Sequence, residues 1–113
     1  MTETRRTLPL DGIKVLDFSQ AMSGPACSML LADFGADVIK IEPQAGDSSR
    51  KWGSARYGKD NEFSSMYLAL NRNKRSISVN LKHPDGIAMI HRMAKQADVV
   101  LENFGPGAMD RLG

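Results

Sequence analysis

Two short apolar runs with a helical stretch between them constrain this chain more than anything else in it. Ile13-Lys-Val-Leu-Asp-Phe18, opened by Asp11-Gly12, reads as a strand, and Asp37-Val-Ile-Lys-Ile41 reads as a second, closed by Glu42-Pro43. Between them Ser23-Gly24-Pro25 starts a helix, with Ser23 or Gly24 as its cap and Pro25 near the first helical position. Ala26, Met29, Leu30 and Phe34 recur at roughly 3.6-residue spacing, which predicts the buried face, and Gly35 is placed to stop the helix. In that setting Cys27 is expected to be a small buried hydrophobe. Strand, helix and strand within about thirty residues, joined by short connections, make a βαβ unit with parallel strands and a right-handed crossover.

The pattern then repeats after a long interval. Residues 43–62 are rich in Gly, Ser and charge and read as a loop, of a length that is more often functional than idle. Phe63 to Leu70 forms a short helix packing Met66, Tyr67 and Leu70, and Asn71 to Arg75 is a polar turn. Ser76-Ile-Ser-Val-Asn-Leu81 alternates as a third strand. Pro84 opens a helix of about thirteen residues that turns Ile87, Ile90, Met93 (or Ala94) and Ala97 inward. Asp85 near its start and Arg92 and Lys95 near its end complement the helix dipole. Asp98 to Leu101 is the fourth strand. It empties into Glu102-Asn103 and the Gly105-Pro106-Gly107 turn before a helix restarts.

The fold class is therefore α/β, a Rossmann-like parallel sheet with flanking helices. Residues 1–9 are a flexible lead-in and residues 10–113 the domain itself. The ends of the first and fourth strands should line one crevice. A glycine-bearing turn before a helix N-terminus suits close approach of an anion.

Composition narrows the function classes. At 42% hydrophobic and 25% charged residues the chain is an ordinary globular protein, and a net charge of +2 is too small to argue for nucleic acid. Arg72, Lys74 and Arg75, with Lys82 nearby, suit a small anion better than a polymer. A single cysteine rules out an intrachain disulfide and a thiolate metal site, and His83 and His91 lack zinc-ligand spacing, so no metal is expected. No run approaches ~18 apolar residues, so no membrane segment is expected. Met1 to Pro9 lacks the apolar core of a signal peptide, which leaves a cytoplasmic protein as the expectation.

The turn Ser19-Gln-Ala-Met-Ser-Gly-Pro-Ala26 lacks G-x-G-x-x-G, which disfavours a dinucleotide even with Glu42 at the end of strand two. Neither a phosphate loop nor a G-x-S-x-G elbow occurs. Asp17, at the carboxyl end of strand one, is expected to hold a neighbouring turn rather than to react. The residues alone reach an α/β domain for an anionic small molecule.

Three phrases go further: Leu10-Asp-Gly-Ile-Lys-Val-Leu-Asp-Phe18 leading to Gly24-Pro25, Gly35-Ala-Asp-Val-Ile-Lys-Ile-Glu42, and Glu102-Asn-Phe-Gly-Pro-Gly107. With Gly46-Asp-Ser-Ser-Arg50 and Asn73-Lys-Arg-Ser76 between them, residues 8–113 closely resemble the class III CoA-transferases, of which α-methylacyl-CoA racemase is a relative. The resemblance implies that the sheet is incomplete, the N-terminal part of a larger domain, and it implies binding of coenzyme A or an acyl-CoA, a carboxylic acid acceptor, and subunits interlocked as a homodimer. It implies a coenzyme-binding strand end at Val79 to Lys82, with the Lys82 ammonium on a phosphate. It also implies coenzyme contacts from Asn103, Phe104 and Gly105, and a phosphate partner in Arg111.

Two departures qualify it. Formyl-CoA transferase carries a glutamine where Met22 stands, and methionine offers no amide donors, which favours a larger or less polar acyl group. A family arginine just after strand two is Pro43 here, so Arg50 or Arg75 is the candidate replacement. The nucleophile of the family is an aspartate that attacks the thioester to give an enzyme-bound acyl anhydride. The resemblance places it beyond Gly113, so no residue of this chain is assigned as catalytic and residues 1–113 alone are expected not to turn over. The alternatives are a racemase-like isomerase and a non-catalytic nucleotide-binding module.

Overall fold

A computed structural model describes residues 7–113; the first six residues of the expected lead-in lie outside the described residues. In chain order the elements are β1 (Lys14–Asp17), α1 (Ser23–Asp33), β2 (Asp37–Glu42), a 3₁₀ turn (Ser48–Lys51), β3 (Arg56–Tyr57), β4 (Phe63–Ser64), α2 (Ser65–Leu70), β5 (Lys74–Ser78), α3 (Pro84–Ala94), β6 (Val99–Leu101) and α4 (Ala108–Leu112). Four strands form one parallel sheet in the order β5-β2-β1-β6, and β3 and β4 pair as a separate antiparallel hairpin. The chain is thus an α/β protein with a parallel sheet and flanking helices, as the two βαβ units require.

Alternation along the strands assigns the two faces of the sheet. Leu16, Phe18 and Ile41 pack with Val79 and with Ile90 of α3. Val15 and Val38, one residue out of phase, pack with Ala32 of α1 and with Ala36. The two helices therefore cover opposite faces. The α3 face is apolar along its length. The α1 face is apolar only at its amino end: farther along it carries Asp17, Lys40 and Glu42, all buried.

That difference overturns the expected face of α1. The helix buries Gly24, Pro25, Ser28 and Ala32, while Leu30 is 51% and Phe34 53% exposed and Cys27 is exposed. Gly24, Ser28 and Ala32 recur at four-residue intervals, so a stripe of small residues lies against the sheet and the large apolar ones point away. A Cβ on Gly24 would overlap Ser19 and press on Asn103, which makes glycine obligatory at this close approach. The helix also starts differently. Met22 is the N-cap, without a side-chain hydrogen bond, rather than Ser23 or Gly24. Its end matches expectation: Gly35, at φ +106°, follows the last turn, and its amide bonds the Ala32 carbonyl at 3.0 Å.

Other boundaries move as well: Phe63 and Ser64 pair in the hairpin, so the short helix expected from Phe63 begins at Ser65. The third strand of the sheet occupies Lys74–Ser78 rather than residues 76–81, because Lys74 to Ser78 pair in register with Val38 to Glu42 and the chain turns at Asn80. The 43–62 interval is not bare loop, since it holds the 3₁₀ turn and the first strand of the hairpin. Among the described residues no helix is long and apolar enough to cross a membrane.

Candidate functional site

The carboxyl ends of the sheet strands open onto four loops, after β1, β2, β5 and β6. The loop after β5 is shaped by its own side chains. The Asn80 carboxamide oxygen accepts from the Lys82 amide at 3.0 Å, and the Asn80 carbonyl accepts from the His83 amide at 3.2 Å. Gly86, in the first turn of α3, sits against the Asn80 carbonyl so closely that a Cβ would overlap it. The His83 ring Nδ1 then caps α3 by accepting from the Asp85 amide at 3.1 Å. This packing holds Lys82 over the start of α3.

Arg111 arrives from α4, whose N-cap, Gly107, is in the left-handed region at φ +75°. Lys82 and Arg111, far apart in sequence, line one cavity of about 600 Å³ between the start of α3 and α4, with His83, His91, Ile87 and Leu112. A second groove adjoins it, running from Pro43 and Gln44 past Val79, Asn80 and Lys82 to Leu112. Lys82 is exposed, and Arg111 makes only a long bond to the Pro106 carbonyl, 3.4 Å. Two cations with little else to satisfy them, over an apolar floor, form a place for an anion attached to an apolar or aromatic body.

The loop after β6 contributes differently. The Asn103 side chain accepts from the Gln20 amide at 2.9 Å and donates to the Gln20 carbonyl at 2.8 Å. Its carboxamide thereby ties the β6 loop to the β1 loop as a strand partner would. Phe104 is half-buried and packs against the apolar cluster on the α3 face. Gly105 faces open space. Val79 is in the same apolar cluster, 5% exposed, with its backbone at the adjoining groove.

On the α1 face the strand ends carry a buried network of charges. Lys40 Nζ lies 2.8 Å from Asp47 Oδ2 and donates to the Ser19 carbonyl at 2.9 Å. Asp47 also accepts from the Ala21 amide at 3.3 Å and from the Ser49 amide and hydroxyl, both at 2.8 Å. Asp17 accepts from the Ser19 amide at 2.9 Å and from the hydroxyls of Ser19 and Ser28, with Lys74 Nζ 3.3 Å away. Glu42 takes a bidentate Arg50 at 2.8 and 2.7 Å, the Asp47 amide at 2.7 Å, the Tyr67 hydroxyl and the Ser76 hydroxyl. Beside this network a cavity of about 400 Å³ is lined by Gln20, Gly46, Asp47, Lys51 and Trp52.

The network shifts its members' acidities. Burial raises the Glu42 carboxyl, but the hydrogen bonds from Arg50, Ser76 and the Asp47 amide outweigh it and hold the group at about 2. At Asp47 burial is likewise outweighed, by Lys40 and Ser49, and the carboxyl lies below its ordinary value. Lys74 goes the other way. Desolvation brings its ammonium down to about 8 against the opposing attraction of Asp17.

The structure therefore joins Lys82 and Arg111 at one cavity, sets Val79 and Phe104 mainly in the core, leaves Gly105 open, and gives the Asn103 amide a structural partner. The expected basic group of Arg72, Lys74 and Arg75 does not form an anion site. Each is paired: Arg72 with Asp33 at 2.7 Å, Lys74 with Asp17, and Arg75 with Asp37 at 2.7 Å, at the far end of the sheet. Arg50 is committed to Glu42, so neither Arg50 nor Arg75 stands free to replace the arginine missing at Pro43. Asp17 holds the turn after β1, as expected. Sequence reading missed the Lys40–Asp47 pair. The signal was available, because a lysine inside Val38-Ile-Lys-Ile41 must find a buried partner if that strand is central.

A family model described as CoA-transferase family III matches residues 10–113. The chain is 45% identical over 106 residues to the human succinyl-CoA:glutarate CoA-transferase, covering 93% of this chain and 24% of that protein. It is 46% identical over 108 residues to a formyl-CoA:oxalate CoA-transferase of Rhodopseudomonas palustris, covering 95% and 25%. A solved CAIB/BAIF family protein from Brucella suis superposes with a TM-score of 0.89 at 38% identity, covering 95% of this chain and 29% of its own. The chain spans about a quarter of the length of the curated relatives it matches.

Proposed function

Because the chain belongs to CoA-transferase family III, we propose that residues 10–113 supply the coenzyme-binding part of an acyl-CoA:carboxylate CoA-transferase. The observation that carries the reading is the shared cavity of Lys82 and Arg111, with an apolar floor beneath two exposed cations. Phosphates of coenzyme A pair with Lys82 and Arg111, and the groove past Val79 and Asn80 carries the chain of the coenzyme toward the strand ends. Asn103 acts by tying Gln20 and its turn to the β6 loop, Gly105 leaves the backbone there open to approach, and Phe104 braces the loop from below.

The reaction is exchange of CoA between two carboxylic acids. A carboxylate nucleophile from polypeptide outside these residues attacks the thioester, and an acyl anhydride and the CoA thiolate result. The job of residues 10–113 is to fix the thioester against that nucleophile. Relatives named for succinyl-CoA and formyl-CoA frame the donor. Met22, 53% exposed at the turn after β1, favours the larger succinyl group over formyl, since its thioether offers apolar contact and no amide donors. An interlocked homodimer agrees with the exposed Leu30, Phe34 and Val100, which a partner surface would cover. The exposed thiol of Cys27 suits a reducing compartment, the cytoplasm.

The test is product analysis with the full-length protein. Succinyl-CoA with glutarate should yield glutaryl-CoA and succinate, faster than formyl-CoA with oxalate yields oxalyl-CoA. Deuterium exchange at Cα of a 2-methylacyl-CoA without any transfer would replace this reading with the isomerase.

A further inference from the structure

The turn Gln20–Met22 is held by side chains from other segments, beginning with Asn103 on the Gln20 amide and carbonyl. Ala21 sits in the left-handed region at φ +67°, uncommon and strained for a residue with a Cβ. Among the described residues it shares that region, outside the glycines, only with Asn61 and Asn73, and asparagine adopts it far more readily. What holds Ala21 there is remote in sequence: its amide points at both Asp47 oxygens, 3.3 Å each. The same carboxylate caps the 3₁₀ turn Ser48–Lys51 through Ser49, and that turn sets Lys51 and Trp52 at the cavity facing Gln20. Lys40, fully buried in β2, closes the arrangement by bonding Asp47 and the Ser19 carbonyl together. Both walls of the 400 Å³ cavity thus share one ion pair, while Asn103 holds Gln20 separately from the β6 loop.

We propose that Asp47, held by Lys40, is a positioning residue for the reaction: it keeps Ala21 left-handed and so fixes the turn Gln20–Met22 against the 48–52 segment at the reacting end of the acyl-CoA. This rests on the transferase reading for its consequence, but not for its geometry. Asp47 is 1% exposed, and its effect runs through the backbone of residue 21. Glycine enters the left-handed region without strain, so a glycine at position 21 needs Asp47 less.

Four variants of the full-length protein decide it: Asp47→Asn, Ala21→Gly, the two combined, and Ala21→Val, which disfavours the left-handed turn while leaving the ion pair intact. Hydrogen exchange of the segment 19–24 is read by mass spectrometry, alongside transfer kinetics. Asp47→Asn should speed exchange there by about tenfold or more and lower kcat/KM by roughly 10- to 100-fold. Ala21→Val should show the same signature even if Asp47→Asn fails to fold. Adding Ala21→Gly to Asp47→Asn should restore at least about fivefold of the lost kcat/KM, a rescue that a direct substrate contact would not give. Unchanged exchange in 19–24, or a loss of transfer that Ala21→Gly leaves untouched, overturns the proposal. If the parent transfers no CoA, the functional reading fails, and the exchange data still decide whether Asp47 fixes the turn.

Discussion

The two faces of this sheet solve opposite problems with the same strands. On the α3 face Leu16, Ile41, Val79 and Ile90 make a dry core, and the cations Lys82 and Arg111 stay at the surface over Ile87 and Leu112. On the α1 face the charges Asp17, Lys40, Glu42, Asp47 and Lys74 are buried, and each has its partners. Charge left in water at the edge of an apolar floor is available to a ligand. Charge taken out of water must be satisfied within the protein and fixes geometry instead. In the function proposed above, one face binds and the other holds the loops still.

The contrast is broken most severely by removing a buried cation. Lys40→Met leaves Asp47 buried without its counter-charge and should cost on the order of 3 kcal/mol in urea denaturation. A cost under ~0.5 kcal/mol would place that pair among surface pairs. Next comes Glu42. Its carboxyl is held at about 2, below its unfolded value, so its contribution is complete above about pH 4.5 and lost as pH falls toward 2. Glu42→Gln should remove roughly 2 to 3 kcal/mol at pH 7 and flatten that acid limb.

Lys74 sharpens the comparison from the alkaline side. Its ammonium is brought down to about 8, so the fold disfavours its charged form, and stability should rise as pH passes from about 8 to 10.5. The gain is on the order of 2 kcal/mol and is absent in Lys74→Met. Above pH 10 Tyr67 works against it, because burial and Glu42 push its phenol up to about 12 and the folded state then resists its ionisation. The smallest effect belongs to the surface. Arg72→Ala breaks only the exposed pair with Asp33 and should leave the melting temperature unchanged within error.

What the sequence revealed follows the same division. Parallel strands, their order of appearance and the glycine turn after the fourth strand were legible, because apolar alternation and glycine punctuation are local signals. Lys82 and Arg111 came from the resemblance, and their meeting at one cavity is a product of topology. The face of α1 was misread because spacing counts large apolar residues, whereas this helix docks through Gly24, Ser28 and Ala32. At the Asp47 clamp the need of Lys40 for a buried partner was readable, but the identity of that partner was not. The clamp joins Ser19, Ala21, Lys40 and Ser49, residues that no periodicity links, and only the folded sheet brings them together.

The central claim is that the exposed cations of the α3 face bind the coenzyme while the buried charges of the α1 face do not. Calorimetric titration of the full-length protein with CoA tests it most directly, comparing the parent with the Lys82→Ala/Arg111→Ala double variant. The double variant should weaken CoA binding by about 30-fold or more, roughly 2 kcal/mol, with the melting temperature of the free protein unchanged. Equal affinity in the parent and the double variant would contradict the account.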